Sequence, residues 1–336
     1  MSFEYVSEGN VVEYLGHASG GEDRAGVRLA LNFLDHGVTS DDVIVDLLAA
    51  AQRESGERWL RNVWGVGDEH MVSGVTQRAL DAVANSMEMP ASGSLIVVAC
   101  AEGDWHSLPA QMFAEMLRSH GFAIAFLGAS TPVDQVAALM ARHRPEALAV
   151  SCSLPLFFSG VTRLADAAHE LGIPVIAGGR ALGDNEERSN RLGVDAWSSD
   201  IDSAVTTLRA WQRGGPTVSS TPARSNQAAM LLQLSAVEIA ASAFASLVKA
   251  YPAMASFDAR QLARTREDLT YITQFAAAAH LVDDVTVLTD MVEWLKILLA
   301  SRGVPERAVT SGLEALAPLF RRVDPRAAQF VCDAVT

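Results

Sequence analysis

The sequence contains little cysteine and few basic residues for its length. Its 336 residues include three cysteines, Cys100, Cys152 and Cys332, and no Cys-x-x-Cys pair. This usage argues against a disulfide framework and against a zinc site of the common spacing. Lysine and arginine number 26 against 40 aspartates and glutamates, so the formal net charge is −14. With no basic cluster to offset it, this charge argues against a nucleic-acid-binding surface.

Long apolar runs are also missing. No window approaches the roughly 18 uninterrupted apolar residues of a membrane-spanning helix. The N-terminus, MSFEYVSEGN, has neither the basic start nor the apolar core of a secretion signal. We therefore expect a cytoplasmic protein with no membrane partner.

Apolar periodicity divides the sequence into three parts. Residues 1–90 follow helical spacing and are expected to form a four-helix bundle. Within 91–213, five short apolar strands alternate with helices, which predicts a Rossmann-like parallel sheet. A Gly/Pro/Ser/Thr-rich linker is predicted at 214–226, and 227–336 are predicted to form a separate all-helical domain. The expected fold class is therefore α/β plus all-α.

The loop after the first predicted strand holds a carboxylate and an imidazole two residues apart. Residues 95–99 form an apolar run, and Asp104-Trp105-His106 follow it. Open parallel sheets bind ligands at the carboxyl ends of their strands. His106 could therefore bind a metal while Asp104 accepts the other ring N–H, which fixes the tautomer. The alternative is a loop histidine with a helper carboxylate and no metal.

Three short motifs at the predicted strand ends match one known family in order and spacing. They are Asp104-Trp105-His106, Ser151-Cys152-Ser153-Leu154 and Gly178-Gly179. This set resembles the D-x-H-x-x-G, S-x-L and G-G motifs of cobalamin-binding domains. Two positions depart from the pattern, because Pro109 replaces the glycine of the first motif and Ser153 replaces the leucine of the second.

The resemblance implies a role for each motif. His106 would replace the cofactor's own nucleotide base as the lower ligand of cobalt, with Asp104 behind it. The displaced nucleotide tail would thread between the strand ends, in a groove that needs small residues. The residues expected to line this groove are Ser151, Ser153, Gly178 and Gly179. Pro109 would narrow the entrance of the groove.

A fourth motif lies in the predicted bundle. Trp59, followed after nine residues by Glu69-His70, matches the W-x9-E-H pattern of light-sensing cobalamin proteins. The resemblance implies that the bundle covers the upper face of adenosylcobalamin and that Trp59, Glu69 and His70 contact the adenosyl group or replace it. The alternative is that Trp59 is bundle core and Glu69-His70 a solvated helix start.

Two differences separate the sequence from the best-known light-sensing repressors. Leu60 stands where they have a histidine that binds cobalt after photolysis, so the upper ligand would be His70 or water. Those repressors also begin with a DNA-binding helix-turn-helix module, whereas this sequence begins with the predicted bundle. We therefore expect no nucleic-acid partner.

The C-terminal part resembles the photocobilins in domain order and in general helical pattern. These proteins pair a cobalamin domain with a helical domain that holds biliverdin without a covalent link. The polar and aromatic groups that could contact a bilin are Asp268, Tyr271, His280 and Trp294, with Arg264 and Arg266 available for its propionates. If the domain is globin-like, His280 could instead bind heme. The alternative for each residue is ordinary helix surface or core.

These resemblances lead to one expected function and two alternatives. We expect a light sensor, not an enzyme, that binds the small-molecule chromophores adenosylcobalamin and biliverdin. Photolysis of the cobalt–carbon bond would change domain packing, and the output would pass through a homo-oligomer or a separate signalling partner. The first alternative is a corrinoid protein that carries methyl groups between methyltransferases. The second is a flavodoxin-like response module without a metal.

Overall fold

The structure is a computed structural model, which describes residues 5–87, 93–215, 218 and 226–335. The central part of the predicted linker at 214–226 and the junction before the first strand, residues 88–92, lie outside these ranges. Among the described residues, no single helix has the length and apolar composition of a membrane span. The adjacent helices Gln227–Leu234 and Ala236–Ala250 pass that test only as a pair bent by 66°.

The N-terminal residues form the predicted four-helix bundle. Its helices are α1 (Glu8–Ser19), α2 (Asp23–Asp35), a continuous third helix and α5 (Val66–Ser86). The third helix consists of α3 (Ser40–Asp42), a π-helical segment (Val43–Ala49) and α4 (Ala50–Leu60). Fully buried side chains from each helix meet in one core, among them Tyr14, Phe33, Leu47 and Leu80. This core fixes where the C-terminal end of α4 and the first turn of α5 lie.

The middle of the chain forms the predicted five-stranded parallel sheet, in the order β2-β1-β3-β4-β5. The strands are β1 (Leu95–Cys100), β2 (Ala123–Phe126), β3 (Ala147–Ser151), β4 (Val175–Gly178) and β5 (Ala196–Ser198). The connecting helices are α6 (Ser107–Ser119), α7 (Val133–His143), α8 (Phe158–His169) and α9 (Glu187–Arg191), and α10 (Ile201–Gly214) follows β5. The helices cover both faces of the sheet, and this burial explains why its strands are apolar throughout.

The strand order explains why the sequence motifs meet. The chain leaves β1 towards β2 on one side and returns to β3 on the other, so a crevice opens between β1 and β3, where such sheets bind ligands. Cys100, at the end of β1, pairs with Ser151 of β3, and Ser151 pairs with Gly178 of β4. The loops that carry the three motifs therefore leave the same edge of the sheet side by side.

The bundle docks on the sheet through α6. Met112 and Met116 of α6 belong to the bundle's apolar core. At the end of α6, the His120 ring and the Ser119 hydroxyl each hydrogen-bond to the Asp41 carboxylate at 2.8 Å. Apolar packing with polar contacts at the rim therefore fixes the bundle against α6, the helix that begins directly after the Asp104-Trp105-His106 loop.

The C-terminal part is all-helical, as the sequence predicts. Its helices are α11 (Gln227–Leu234), α12 (Ala236–Ala250), α13 (Ala259–Val282), α14 (Thr286–Ala300), α15 (Glu306–Val323) and α16 (Pro325–Asp333). α13 packs against the 3-10 turn Pro155–Phe157 that follows β3. Arg188 of α9 reaches the Asp284 carboxylate at 2.8 Å and the Thr286 hydroxyl at 2.9 Å. The C-terminal helices are thus attached to the sheet by an apolar core and an ion pair.

Candidate functional site

The loop after β1 is held in place by one buried carboxylate. Asp104 has no exposed side-chain surface, and one of its oxygens accepts hydrogen bonds from the His106 backbone N–H at 3.0 Å and from the His106 ring at 2.8 Å. Its other oxygen accepts the Ser153 backbone N–H at 2.7 Å. The Asp104 carbonyl also accepts the Ser130 N–H, at 3.0 Å. The carboxylate thereby joins the first two motifs and orients the imidazole.

These contacts shift the ionisation of both partners. Burial opposes the charged form of Asp104, but the hydrogen bonds from His106 and Ser153 outweigh it and lower the pKa of that carboxyl. The hydrogen bond to Asp104 raises the pKa of the His106 imidazole above its usual value, against the effect of burial. The negative charge of Glu69 adds to that rise in pKa. An acid in the first turn of α5 thus acts electrostatically on the imidazole.

His106 is suited to bind a metal that brings its other ligands with it. Its Nδ1 is engaged by Asp104, while 56% of the side chain is exposed, so Nε2 points away from the carboxylate at an accessible edge. Within the described ranges, no cluster of three or more histidine, cysteine, aspartate or glutamate side chains could hold a bare ion. A corrin supplies four nitrogen ligands itself and needs one imidazole below. The donor set therefore fits cobalamin better than an isolated metal ion.

The G-G motif lies where neighbouring backbone leaves no space for a side chain. Gly179 has a φ of +108°, and a Cβ built on it would lie 2.5 Å from the Cys152 carbonyl oxygen. A Cβ on Gly178 would lie 2.9 Å from the Ser198 carbonyl oxygen. Both positions therefore require glycine. Glycine at both positions lets β4 and the residue after it approach Cys152 and Ser198 closely. A groove for the nucleotide tail beside Ser151 stays a prediction.

The structure also accounts for the two departures from the family pattern. Ser153 contributes its backbone N–H to Asp104, so this contact does not depend on the side chain at the position of the missing leucine. Pro109 is the third residue of α6, where a backbone N–H has no partner within the helix. Neither replacement disturbs the contacts that hold His106.

The W-x9-E-H residues lie at the end of α4 and the start of α5. Trp59 is half-buried, and its ring stacks on Trp294 of the C-terminal helices, with 6.0 Å between ring centroids and 28° between planes. Glu69 accepts a hydrogen bond from the Ser73 hydroxyl at 2.7 Å, and 73% of the His70 side chain is exposed. Trp59 therefore packs outside the bundle core, while Glu69 and His70 present polar atoms at its surface.

A polar chain behind Glu69 was not predicted from the sequence. The Ser73 hydroxyl lies within hydrogen-bond distance of both Glu69 and Gln52, and the Gln52 amide donates to Thr76 at 2.9 Å. The buried Tyr14 hydroxyl reaches Thr76 at 3.3 Å. The spacing of Glu69 and Ser73, four residues apart on a helix, is a sequence signal for this contact. Gln52 and Tyr14 come from other helices and have no such signal.

The candidate residues of the C-terminal helices have different surroundings. Tyr271 and Trp294 are exposed in part. His280 is nearly buried, its Nδ1 accepts from the Asn226 amide at 2.7 Å, and its Nε2 lies 3.2 Å from the Asp324 carboxylate. Both ring nitrogens of His280 are thus occupied, so a heme iron would have to displace one of these partners.

The predicted propionate-binding arginines are also engaged. The Arg264 guanidinium donates to Glu267 at 2.6 Å. The guanidinium of Arg266 lies 3.8 Å from the centroid of the Phe244 ring. Asp268, by contrast, lies in a partly buried position, where desolvation raises its pKa to about 6.

Replacing Asp268 with asparagine is expected to stabilise the protein at neutral pH. Because the folded-state pKa of about 6 exceeds the ordinary aspartate pKa of 3.8, the native state binds the proton more tightly than the unfolded state does. The free energy of unfolding therefore falls as the pH rises between these two values. Asp268→Asn should therefore raise the free energy of unfolding by about 2–3 kcal/mol at pH 7.5 and by much less at pH 4. Urea unfolding at both pH values measures this, with the exposed Asp290→Asn as control. An equal effect of Asp268→Asn at the two pH values would contradict it.

Family comparisons agree with this arrangement. Residues 94–205 match a family model described as "B12 binding domain", and residues 17–84 match a second model with the same description. The first match covers the sheet and the second covers most of the bundle. The two halves of the candidate site, His106 below and the Trp59–His70 segment above, each lie within one match.

Individual relatives point to two kinds of protein. The chain is 26% identical over 166 residues to the HTH-type transcriptional repressor CarH of Myxococcus xanthus. The aligned region covers 48% of this chain but only 54% of the repressor. It is 20% identical over 197 residues to trimethylamine corrinoid protein 1 of Methanosarcina mazei, covering 56% of this chain and 90% of that protein. The chain thus spans about half the length of the repressor.

A solved structure supports the fold. The monomethylamine corrinoid protein of Methanosarcina barkeri aligns with a TM-score of 0.52 at 19% identity, over 59% of this chain and 96% of that one. This likeness concerns the architecture of bundle and sheet. The two family matches and the donor geometry around His106 identify the chain as a cobalamin-binding protein.

Proposed function

We propose that this protein is a light sensor that holds adenosylcobalamin between the bundle and the sheet. The observation that carries the proposal is the hydrogen-bonded pair of Asp104 and His106 at the carboxyl edge of the sheet, in a chain that also carries the W-x9-E-H residues at the end of α4 and the start of α5. The electrostatic effect of Glu69 on the His106 imidazole is in line with it. The two motifs come from separate match regions, and the proposal places them on opposite sides of one cofactor. Adenosylcobalamin supplies, when bound there, a cobalt–carbon bond that light breaks.

In this proposal each residue has a defined task. His106 Nε2 would hold the cobalt, and Asp104 fixes the tautomer of His106 through the 2.8 Å hydrogen bond. Gly178 and Gly179 would border the nucleotide tail. Trp59 would cover the adenosyl group, while Glu69 and His70 would offer hydrogen bonds to the nucleoside.

The output would be a change in how the bundle packs. Trp59 would take one position against a bulky upper ligand and another without it, so the end of α4 would shift against its neighbours. We propose that this shift alters self-association or the binding of a separate signalling partner, without enzymatic activity. We also propose biliverdin as a second chromophore of the C-terminal helices, near Asp268, Tyr271, His280 and Trp294.

The second candidate function is that of a corrinoid protein in a methyltransferase system. This function is favoured because the alignment with this chain covers 90% of trimethylamine corrinoid protein 1. The monomethylamine corrinoid protein also shares its architecture of bundle and sheet with this chain. Coverage does not separate the two candidates, because the repressor and the corrinoid proteins each align with only about half of this chain. The stacking of Trp59 on one of the six C-terminal helices favours the sensor.

The test compares the protein loaded with adenosylcobalamin in the dark and after green light. Because light also breaks this bond in free solution, we would record the sedimentation coefficient together with the absorbance spectrum. The sensor predicts that both change, and that Trp59→Ala removes the change in sedimentation. Trp64→Ala, a half-buried tryptophan of the same bundle, serves as the matched control.

Two results would contradict the sensor. One is a spectrum and a sedimentation coefficient that are the same before and after light. The other is light-independent transfer of a methyl group from methylcobalamin-loaded protein to an added methyltransferase system, which would establish the second candidate function.

A further inference from the structure

The turn that ends α4 is contacted by a distant part of the chain. Arg302, just beyond α14, donates hydrogen bonds to the Leu60 carbonyl at 3.2 Å and to the Trp59 carbonyl at 3.3 Å. The Ser301 hydroxyl also lies 3.0 Å from the Leu60 carbonyl. These two carbonyls belong to the last turn of α4, beyond the regular i→i+4 hydrogen bonds of the helix. The Trp59 carbonyl also accepts the Asn62 N–H at 3.0 Å.

The same arginine also contacts the Trp59 side chain. Its guanidinium carbon lies 5.2 Å from the centroid of the Trp59 ring, and Trp294 of α14 stacks on that ring at 6.0 Å. A cation at a helix C-terminus is favoured by the helix dipole, and a guanidinium over an indole gains a cation–π attraction. Both the backbone and the ring of Trp59 are therefore held by the segment Trp294 to Arg302.

These contacts are not needed to attach the C-terminal helices. The ion pair between Arg188 and Asp284 and the packing of α13 on the turn after β3 already join these helices to the sheet. Apart from its own helix end, Arg302 contacts the Trp59–Leu60 turn. Its contacts are thus directed at the one turn that carries the tryptophan of the W-x9-E-H motif.

We propose that Arg302 is a positioning residue for Trp59, and that it links the C-terminal helices to the upper side of the cobalamin site. The inference rests on the proposed function in assigning Trp59 to the cover over the adenosyl group. With Arg302 in place, the indole is held ready for a bulky upper ligand. Without it, the turn loosens, and the preference for a bulky upper ligand over a small one declines.

The first experiment needs no cofactor. The backbone amides of residues 61–64 bond back to carbonyls of residues 57–59, so their hydrogen exchange in the full-length apoprotein reports the order of this turn. Arg302→Gln should raise their exchange rates roughly tenfold, the effect of losing hydrogen bonds to a charged donor. Arg302→Lys should restore part of the protection, and Arg307→Gln, an exposed arginine nearby, should leave the rates unchanged.

The second experiment compares two upper ligands. Arg302→Gln should lower the affinity for adenosylcobalamin about threefold relative to hydroxocobalamin, whose small upper ligand needs no cover. A purely structural role would weaken the binding of both equally. Unchanged exchange at 61–64, or faster exchange with an unchanged affinity ratio, would overturn the positioning role. If instead light leaves the loaded wild-type protein unchanged, the sensor proposal fails, while the exchange experiment still reports on Arg302.

Discussion

His106→Ala is expected to lower the affinity for cobalamin by at least about 100-fold and to change the spectrum of whatever cobalamin still binds. Changes in the groups that merely support a metal ligand already cost roughly 10- to 100-fold, and here the ligand itself is removed. Without the imidazole, the cofactor keeps its own nucleotide base or water as lower ligand, which shifts its visible absorbance. Titration of the apoprotein with hydroxocobalamin, followed by absorbance, measures both effects.

The fold should survive this substitution. More than half of the His106 side chain is exposed, and exposed substitutions usually change the free energy of unfolding by no more than about 0.5 kcal/mol. His143→Ala, at the exposed end of α7, is the control and should bind cobalamin as the wild type does. If His106→Ala bound cobalamin with the wild-type affinity and spectrum, a module without a metal ligand at this position would be the better description.

Asp104→Leu is expected to destabilise the protein by about 3 kcal/mol. Leucine has a similar volume, but it leaves the Ser153 and His106 backbone N–H groups, which are part-buried, without this acceptor. Asp104→Asn should cost less, since one amide oxygen can still accept the Ser153 N–H. Urea unfolding of the apoprotein measures both changes, so this prediction does not depend on any ligand.

The matched comparison for Asp104 is an exposed acid of the same domain. Asp134→Leu, in the first turn of α7, removes a carboxylate that faces solvent and should cost well under 1 kcal/mol. If Asp104→Leu and Asp134→Leu were equally mild, the buried hydrogen bonds of Asp104 would not be what holds the loop. The structure's account of how His106 is oriented would then be wrong.

The fold and the placement of the three strand-end motifs could be predicted from the sequence. Short apolar strands alternating with helices allow few topologies, and parallel pairing puts all carboxyl ends at one edge. This places the Asp104, Ser151 and Gly178 segments together without knowledge of any contact. The sequence could not give the acceptor at Asp104 for the Ser153 N–H, because a backbone donor leaves no trace in side-chain identity.

The surroundings of Trp59 could not be predicted for a different reason. Trp294 and Arg302 lie more than 200 residues away in the sequence, and nothing local indicates which helices of the C-terminal part face the bundle. His280 shows the same limit, since an apolar neighbourhood predicts burial but does not identify Asn226 and Asp324 as partners. Long-range pairings of this kind depend on how whole helices pack.

The most direct test of the account is electron paramagnetic resonance of the protein loaded with cob(II)alamin, after growth on histidine labelled with nitrogen-15. The unpaired electron on cobalt couples to the nitrogen of its lower ligand, which gives triplets for nitrogen-14 and doublets for nitrogen-15. We predict doublets in the labelled wild-type protein, because His106 Nε2 binds the cobalt. Triplets that persist in the labelled protein would show that the cofactor keeps its own base, and would contradict the assignment of His106 on which the proposed site is built.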